Sequence, residues 1–370
     1  MSSHGLVNFG RTCYINATLQ AFAAVPSIVN HIIMSSNECN DKFCNVCILS
    51  DLIQEMLNLL DTTNTLQSLV EKVLLELHCD KNTNQDAEEV IYIMLRWIHT
   101  KTSIHKFPSY YYIEVRRTCL MCNFHHTTEI SDEGCIIELG LSSNLRLVKH
   151  LIQHYCDGHT DENCLCQNCG RRGIQQISRK FLIVPKVFCL LLKRFEFKDG
   201  SIIKNNDHFM FNEILNMTEF TTQEDRNISL MYQLHACIEH IGSTTNDGHY
   251  VTYTQYGNKW FCMNDTTVTS TTFFSVATIK GYVLFYVRRK EENPEVREEN
   301  KNVFNQTLIQ NKEPIDIAKE HNIRMESNLK KQRKTRVESD NQKMIRRERQ
   351  RQQFARKHQI ESDNEKNDKA

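Results

Sequence analysis

The chain has 370 residues, of which 40% are hydrophobic and 24% charged, and its 45 Lys and Arg balance 45 Asp and Glu. That length allows two or three packed units, and the apolar fraction is ample for a buried core, which excludes a fully disordered protein. No run reaches the roughly 18 apolar residues of a membrane span, and the first residues lack the pattern of a secretory signal, so we expect a cytosolic or nuclear protein without a transmembrane segment.

Charge divides the chain into two parts. Residues 288–370 hold 22 Lys and Arg against 16 Asp and Glu, a net charge of +6, which leaves −6 for residues 1–287. All 15 cysteines lie before residue 263, and in a reducing compartment they are expected to be thiols or metal ligands. We therefore predict a folded domain at 1–290 and a charged basic tail, disordered or helical, at 291–370. The sequence leaves the oligomeric state open.

Residues 15–99 predict helices. Apolar residues recur at steps of three and four, which is typical of helix faces packed on a core. The three stripes are Ile48, Ile53, Met56, Leu57 and Leu60; Leu69, Val70, Val73, Leu74 and Leu77; and Val90, Ile93, Met94 and Trp97. Pro26 is expected to end or kink the first helix.

After Pro108 the apolar period changes to two, which predicts a strand over 110–115 that leads into Cys119. A second alternating stretch covers 127–141, and a helix is predicted over 145–155. The clearest later strands are predicted at 188–195, 232–238, 249–253, 260–263 and 282–287. This order of helices followed by strands favours an α+β fold.

The first chemical motif is Gly5-Leu-Val-Asn8-Phe-Gly10-Arg-Thr-Cys13-Tyr-Ile-Asn16-Ala-Thr-Leu-Gln20. Gly10 allows a tight turn, and a helix predicted from Asn16 onward puts Cys13 at a helix N-terminus. The positive end of the helix dipole favours a thiolate over a thiol there. The motif thus predicts a reactive Cys13, although a lone cysteine beside a helix start is more often an inert buried thiol.

A thiolate nucleophile needs an acid/base partner, and His249 is the best candidate. It follows a loop that contains Gly242 and Gly248 and begins a predicted strand, which fixes the ring on a rigid element. Downstream, Asn264 and Asp265 offer an amide and a carboxylate to accept the other imidazole N–H. His240 is a competing histidine, but its apolar surroundings favour a structural role.

These motifs resemble the ubiquitin-specific protease family of deubiquitinating cysteine proteases, whose Cys, His, Asn/Asp order is papain-like. Residues 5–20 resemble that family's Cys box, and 232–240, 248–250 and 260–265 resemble its His box. Its helix-opening motif, strand motif and closing strand are matched by Gln85-Asp86-Ala87-Glu88-Glu89, 185–195 and 281–286. The agreement of all these motifs, in the family's order across residues 5–287, makes a chance resemblance very improbable.

The resemblance implies an α+β, papain-like cysteine protease fold with a helical thumb near 1–108, β-rich zinc-stapled fingers near 109–180 and a β palm near 181–290. It also implies a thiol-dependent isopeptidase that removes ubiquitin from protein lysines. The resemblance assigns Cys13 as the nucleophile and His249 as the general base. Asn264 is assigned to orient the imidazole, and Asp265 shares that role. Asn8 is assigned as the oxyanion-hole donor. Asp86 matches an acidic residue that meets the basic C-terminal tail of ubiquitin, and Gln85 beside it is assigned to substrate binding.

Two alternatives stay open at this point. Residues 261–265 and 164–169 also resemble the branch of the family that acts on a two-lobed, interferon-induced ubiquitin-like modifier. A non-catalytic ubiquitin-binding scaffold is the other alternative, although it would not need the intact catalytic set. The family usually has Asn where this chain has Arg11, and we expect the arginine to point to solvent.

Two C-x-x-C pairs predict a structural zinc site, because four thiolates in two pairs give a closed tetrahedral Zn²⁺ centre. The pairs are Cys119 with Cys122 and Cys166 with Cys169, and Cys164 is a rival ligand with poorer spacing. In the resembled family such pairs staple the tips of the fingers. No organic cofactor is predicted.

A third group, Cys39, Cys44 and Cys47, has one C-x-x-C pair without a partner pair. His31 or Cys79 could complete a site there, but an incomplete ligand set is more often no site, and no second metal is predicted.

In the tail, residues 330–357 hold 12 basic and 3 acidic residues. Such a segment either binds nucleic acid or import factors or only aids solubility.

Overall fold

The computed structural model describes residues 4–289 apart from 38, 40, 42–43, 128–131, 143, 199–200, 223–229, 243 and 245–247. Internal contacts divide the chain into Met1–Glu291 and Glu292–Ala370, and every described residue belongs to the first unit. The tail predicted at 291–370 lies outside the described residues. Its character, and the domain boundaries near residues 108, 180 and 290, stay predictions.

The N-terminal part of the chain is helical, as predicted. Its helices are α1 (Cys13–Ala23), α2 (Pro26–Asn37), α3 (Asn45–Leu57), α4 (Thr63–Leu77) and α5 (Ala87–Lys101). Pro26 opens α2, where its missing N–H costs no helical hydrogen bond, so the predicted break at this residue is confirmed. None of the described helices is by itself long and apolar enough to cross a membrane; α1 and α2 meet that test only as a pair, bent by 98°.

The predicted apolar stripes pack on the core with one exception. Val90, Met94 and Trp97 of α5 are buried, and the stripe of α4 is buried except for Leu74, which is half-buried against the same core. Leu60 is 55% exposed, and its assignment to the stripe of α3 is wrong. The physical reason is local: α3 ends at Leu57, and Leu59 turns the chain away with a left-handed φ of +59°.

Strands dominate the rest of the described chain, with α6 (Val148–Asp157) and α7 (Phe273–Val276) between them. The strands are β1 (Tyr111–Cys119), β2 (His125–Thr127), β3 (Asp132–Gly134), β4 (Ile137–Leu139), β5 (Thr160–Leu165), β6 (Arg172–Ile183), β7 (Val187–Leu192), β8 (Phe195–Lys198), β9 (Ser201–Lys204), β10 (Ile214–Asn216), β11 (Met231–Ile241), β12 (His249–Tyr256), β13 (Lys259–Asn264), β14 (Thr267–Thr271) and β15 (Gly281–Arg288).

These strands form two main sheets and a hairpin. The finger sheet has the order β2-β1-β6-β5, with β3 also on β1. The palm sheet has the order β14-β13-β12-β11-β15-β7-β4, with β10 on β11, and only its β4–β7 pair is parallel. The strands β8 and β9 pair with each other alone. The α+β, thumb, fingers and palm architecture predicted from the sequence is therefore confirmed.

Helix α1 connects the helical part to the palm sheet. All 11 of its residues are buried, and it contacts α2, α3 and α5 as well as β11 and β12. Because every face of α1 is covered, its position relative to β12 is fixed by packing on all sides. This packing sets the start of α1 beside the start of β12, which is where the candidate catalytic residues lie.

Two strand predictions differ from the structure. The single strand predicted over 188–195 is two strands, because the buried Arg194 lies between β7 and β8 and its side chain donates to the backbone carbonyls of Gly281, Asn205 and Asp207. The 12-residue strand β6 is not among the clear predictions. Its residues alternate only weakly in polarity, because the covered face includes Gln175 and the exposed face includes Ile174 and Leu182.

Candidate active site

Cys13 is the first residue of α1, and Asn8 holds the loop that leads into it. Asn8 Oδ1 accepts hydrogen bonds from the backbone N–H of Gly10 (3.1 Å) and of the N-cap residue Thr12 (3.0 Å). Gly10 has a φ of +138°, and a Cβ there would lie 2.6 Å from the Lys81 carbonyl oxygen, so only glycine fits. The predicted position of Cys13 at a helix N-terminus is confirmed.

His249 is the first residue of β12, and its cross-strand partner in β11 is Ile241. The residue before it, Gly248, cannot carry a side chain, because a Cβ there would lie 2.1 Å from His240 Nε2. The His249 side chain is 37% exposed. The imidazole is thus presented on a strand and is open to solvent on one side.

The His249 ring connects two of the other predicted catalytic residues. Its Nε2 lies 2.6 Å from Asn264 Oδ1 at the end of β13, and the ring also hydrogen-bonds the Cys13 sulfur. The bond to Cys13 raises the pKa of His249 most; burial lowers it and Asn264 raises it, to about 9 overall. At neutral pH the ring is therefore protonated, which is the state that stabilises a neighbouring thiolate.

Asp265 lies beside this group but serves mainly as an acceptor for two asparagines. Its Oδ2 accepts from Asn8 Nδ2 at 2.9 Å, and its Oδ1 accepts from Asn16 Nδ2 at 2.8 Å. Oδ2 is 4.0 Å from His249 Nε2, which is too far for a hydrogen bond. Asn264, not Asp265, therefore contacts the imidazole directly.

Asn16 is a residue of this network that the sequence analysis did not assign. It is 2% exposed, and its Nδ2 also bonds the Val7 carbonyl oxygen at 3.2 Å. A polar amide one turn after Cys13, on a helix of mostly apolar residues, was the available signal, because a buried polar side chain requires partners. Asn16 thus ties α1 to the Asp265 turn and to the chain segment at Val7 that precedes the Asn8 loop.

His240 is the histidine that the sequence offers as a rival to His249. It is 3% exposed and packs against the rings of Phe195 and Tyr250. Burial, with smaller contributions from the cations Lys204 and His249, lowers the pKa of His240 to about 4. A neutral, enclosed ring of this kind supports the structural role predicted for it.

Asp86 is the N-cap residue of α5, and its carboxylate has three internal donors. These are the Glu88 backbone N–H (2.9 Å), the Tyr282 hydroxyl (2.9 Å) and the Tyr250 hydroxyl (3.3 Å). Burial raises the pKa of Asp86. Since Tyr250 follows His249, Asp86 is linked to the strand that carries His249, and its predicted contact with ubiquitin stays a prediction.

Two further predictions concern Gln85 and Arg11. Gln85 is half-buried and hydrogen-bonds the Cys79 thiol. Its predicted role in substrate binding stays a prediction. Arg11 is exposed, in agreement with the expectation that it points to solvent.

The four cysteines of the predicted zinc site come together at the tip of the finger sheet. The sulfurs of Cys119, Cys122, Cys166 and Cys169 all lie within 4.8 Å of one another, and Cys122 Sγ is 3.7 Å from Cys166 Sγ. Four sulfurs about 2.3 Å from a central Zn²⁺ are about 3.8 Å apart in a tetrahedron. The spacing of these thiols fits that geometry. The rival Cys164 is not part of the group.

Left-handed residues close both C-x-x-C pairs. Asn123 has a φ of +56° and Gly170 a φ of +66°, and their N–H groups donate to the carbonyls of Cys119 and Cys166. Asn and Gly are the residues that adopt this backbone most readily. Each pair is therefore a tight turn that holds two sulfurs on one side.

The third cysteine group also assembles in the structure. Cys39, Cys44 and Cys47 have sulfurs within 4.8 Å of one another, and the Cys39 and Cys44 sulfurs are 3.3 Å apart. His31, considered as a fourth ligand, instead hydrogen-bonds the Thr102 hydroxyl at 3.1 Å. Three thiols without an assigned fourth ligand leave the absence of a second metal as a prediction.

Comparison with known proteins places this geometry in context. The family model described as ubiquitin carboxyl-terminal hydrolase matches residues 4–286. Similar proteins include ubiquitin carboxyl-terminal hydrolase 17-like protein E of Mus musculus, 27% identical over 314 residues, with 78% of this chain and 55% of the relative covered. The 17-like protein 12 of Homo sapiens is 27% identical over 309 residues, with 78% and 56% covered. This chain thus spans little more than half the length of these relatives.

Solved structures share the fold. A SAGA DUB module of Ubp8, Sgf11, Sus1 and Sgf73 bound to monoubiquitin matches with a TM-score of 0.66 and 25% identity, covering 78% of this chain and 69% of that one. The same module bound to ubiquitin aldehyde matches with a TM-score of 0.67 at 24% identity, covering 78% and 70%. The second likeness concerns the fold alone.

Proposed function

The chain belongs to the ubiquitin carboxyl-terminal hydrolase family, and from that premise we propose that it is a cysteine-type deubiquitinase that removes ubiquitin from protein lysines. The observation that carries this proposal is the His249 imidazole, bonded to the Cys13 sulfur and to Asn264 Oδ1. A cysteine nucleophile, a histidine that bonds it and an asparagine that orients the histidine together make the Cys-His-Asn form of the catalytic triad. A binding scaffold has no need of this arrangement.

In the first step, the Cys13 thiolate attacks the carbonyl carbon of the modifier's terminal glycine, and the carbonyl oxygen becomes an oxyanion. The Cys13 backbone N–H and the Asn8 amide are the proposed donors to that oxygen. An amide nitrogen carries two hydrogens, and Asp265 accepts one of those of Asn8. A preorganised donor of this kind typically lowers the barrier by about 2.7–4 kcal/mol.

In the second step, protonated His249 gives its proton to the lysine amine as the bond between the glycine carbonyl carbon and that nitrogen breaks. The acyl group stays on Cys13 as a thioester. Water, deprotonated by His249, then attacks the thioester carbonyl and releases the free carboxylate and the thiolate. Asn264 keeps the imidazole in line, and Asp265 acts through Asn8 by fixing the donor amide.

Zinc is proposed as a structural component, held by Cys119, Cys122, Cys166 and Cys169. With zinc bound, these four cysteines would cross-link the ends of β1 and β5, and their four thiolates would fill the coordination sphere of a structural metal. The left-handed turns at Asn123 and Gly170 hold the ligand pairs in place. The metal takes no part in the cleavage.

Ubiquitin is the proposed modifier, and the Ubp8 module bound to monoubiquitin supports that choice. The test is to offer the purified full chain electrophilic probes built on ubiquitin and on the interferon-induced ubiquitin-like modifier. We expect the ubiquitin probe to label the chain at Cys13, and Cys13→Ala to lose labelling while it still binds ubiquitin. Mass spectrometry of the labelled peptide identifies the cysteine.

Other outcomes would overturn parts of the proposal. Labelling only by the ubiquitin-like probe would assign the second modifier. Labelling by neither probe, with ubiquitin still bound, would favour the non-catalytic scaffold. Labelling at a cysteine other than Cys13 would leave the fold assignment intact and remove this residue from the mechanism.

Two proposals concern the whole chain. We place the reaction in the cytosol or nucleus, where cysteine thiols such as Cys13 stay reduced. The basic tail, 291–370, is proposed to bind nucleic acid or import factors through its positive charge. A tail of that kind binds nucleic acid with an affinity that falls steeply with salt, whereas binding that is absent at low salt would contradict it.

A further inference from the structure

The end of β11 lies in an unusual position within the palm sheet. Its antiparallel partner β15 begins at Gly281, opposite Glu239, whereas its other antiparallel partner β12 begins at His249, opposite Ile241, two residues farther along β11. The last residues of β11 therefore have a neighbouring strand on one side only. Backbone carbonyls that face the missing strand need another donor, since a buried carbonyl without a partner is costly.

Lys204, the last residue of β9, provides that donor. Its Nζ lies 2.8 Å from the carbonyl oxygen of His240 and 2.6 Å from that of Gly242. These two carbonyls flank Ile241, the residue that pairs with His249. The ammonium group thus takes the place of the missing strand at the point where the catalytic histidine enters the sheet.

Lys204 is only 8% exposed, so placing its charge here carries a desolvation cost. Among the ion pairs of the described residues, none includes Lys204, and the charged groups around it are the cations Arg194 and Lys280 and the carboxylate of Glu239. Burial, followed by Arg194, lowers the pKa of Lys204 to about 8. A buried cation is unfavourable unless it makes stabilising interactions. The Lys204 ammonium group donates to two carbonyl oxygens and lies over the face of the Phe195 ring, 5.9 Å from its centroid.

From this geometry we propose that Lys204 is a positioning residue for catalysis: it fixes the end of β11 and so holds the His249 imidazole against Cys13. The inference rests on the proposed deubiquitinase function. Lys204 does not touch the reacting atoms; it acts through the backbone of residues 240–242 and the Ile241–His249 pair. Its loss would let the hairpin end shift, and a displacement of about 1 Å at a catalytic group can cost up to 100-fold in rate.

The experiment compares Lys204→Met, Lys204→Gln and Lys204→Arg with the wild-type full chain, using ubiquitin with a fluorescent leaving group. We expect Lys204→Met to lower kcat at least 10-fold with KM changed less than twofold, and Lys204→Gln to lie between it and wild type. Lys204→Arg should restore much of kcat, because a guanidinium can donate to both carbonyls. The matched control is Lys259→Met, since Lys259 is exposed at the start of β13, and its kcat should not change.

A second readout does not depend on ubiquitin. The rate at which iodoacetamide alkylates Cys13, followed against pH, reports the thiolate that protonated His249 stabilises. Lys204→Met or, should that variant melt below the assay temperature, Lys204→Gln is expected to shift this profile toward that of His249→Ala. An unshifted profile with unchanged kcat would overturn the inference. Absence of turnover in the wild type would instead overturn the proposed function, and the alkylation profile would still test Lys204.

Discussion

The Asp265 carboxylate offers a sharp test of how the site is held. It accepts one hydrogen bond from Asn8 and one from Asn16, at 2.9 and 2.8 Å. In Asp265→Asn the side chain keeps its size, and the left-handed φ of +49° is one that asparagine adopts readily. The oxygen that remains at position 265 still accepts a hydrogen bond from one of the two asparagines. The new NH₂ group faces the NH₂ group of the other asparagine, and two donors cannot bond each other. The change therefore removes one charge-assisted hydrogen bond and leaves the backbone as it is.

The expected magnitude follows from those bonds. A hydrogen bond to a charged group contributes about 1.5–3 kcal/mol, so we expect Asp265→Asn to lower the free energy of unfolding by about 2 kcal/mol and Tm by roughly 4–8 °C. If the Asn8 amide turns away from the oxyanion, kcat also loses the contribution of one donor, about 10²–10³-fold. KM should change little, because the donor acts on the transition state.

The assay is a double-mutant cycle on ubiquitin cleavage with Asn8→Ala, Asp265→Asn and the combined variant. Because Asp265 acts through Asn8, the combined variant should be no slower than Asn8→Ala alone. Melting curves of all four proteins separate lost stability from lost rate. Losses in kcat that simply add would refute the reasoning, since Asp265 would then act on catalysis by a route that does not include Asn8.

Three further changes test the site, the staple and the tail. Asn264→Ala removes an acceptor that helps to raise the pKa of His249 to about 9. The fall of kcat/KM on the alkaline side, expected near pH 9 in the wild type, should therefore move to lower pH. A pH–rate profile that does not move would contradict the contact between Asn264 and His249. Cys119→Ser combined with Cys166→Ser should release about one zinc per chain and lower Tm, measured by elemental analysis and melting, and an unaltered metal content would exclude the staple. Deletion of residues 291–370 should leave kcat on a small ubiquitin substrate unchanged, and collapse of activity would place the tail within the catalytic fold.

The predictions that succeeded depended on local patterns. The stripe that includes Val90 and Trp97 marked α5 because helix periodicity is written into consecutive residues, and Pro26 marked a helix boundary because its ring removes a hydrogen-bond donor. Where the pattern was weak, prediction failed. The exposed Leu60 lies just past a helix end, and β6 alternates too little to stand out.

The sequence alone determined the chemistry on offer: a cysteine at a helix start, a histidine at a strand start, and two C-x-x-C pairs, all features of neighbouring residues. It did not determine which groups share a hydrogen bond. That Asn264 and not Asp265 meets the His249 ring, and that Lys204 takes the place of a strand beside β11, depends on how β13 pairs with β12 and where β15 begins. These contacts join residues 15 to 38 positions apart, and only the tertiary arrangement of the strands brings their atoms within 3 Å of each other.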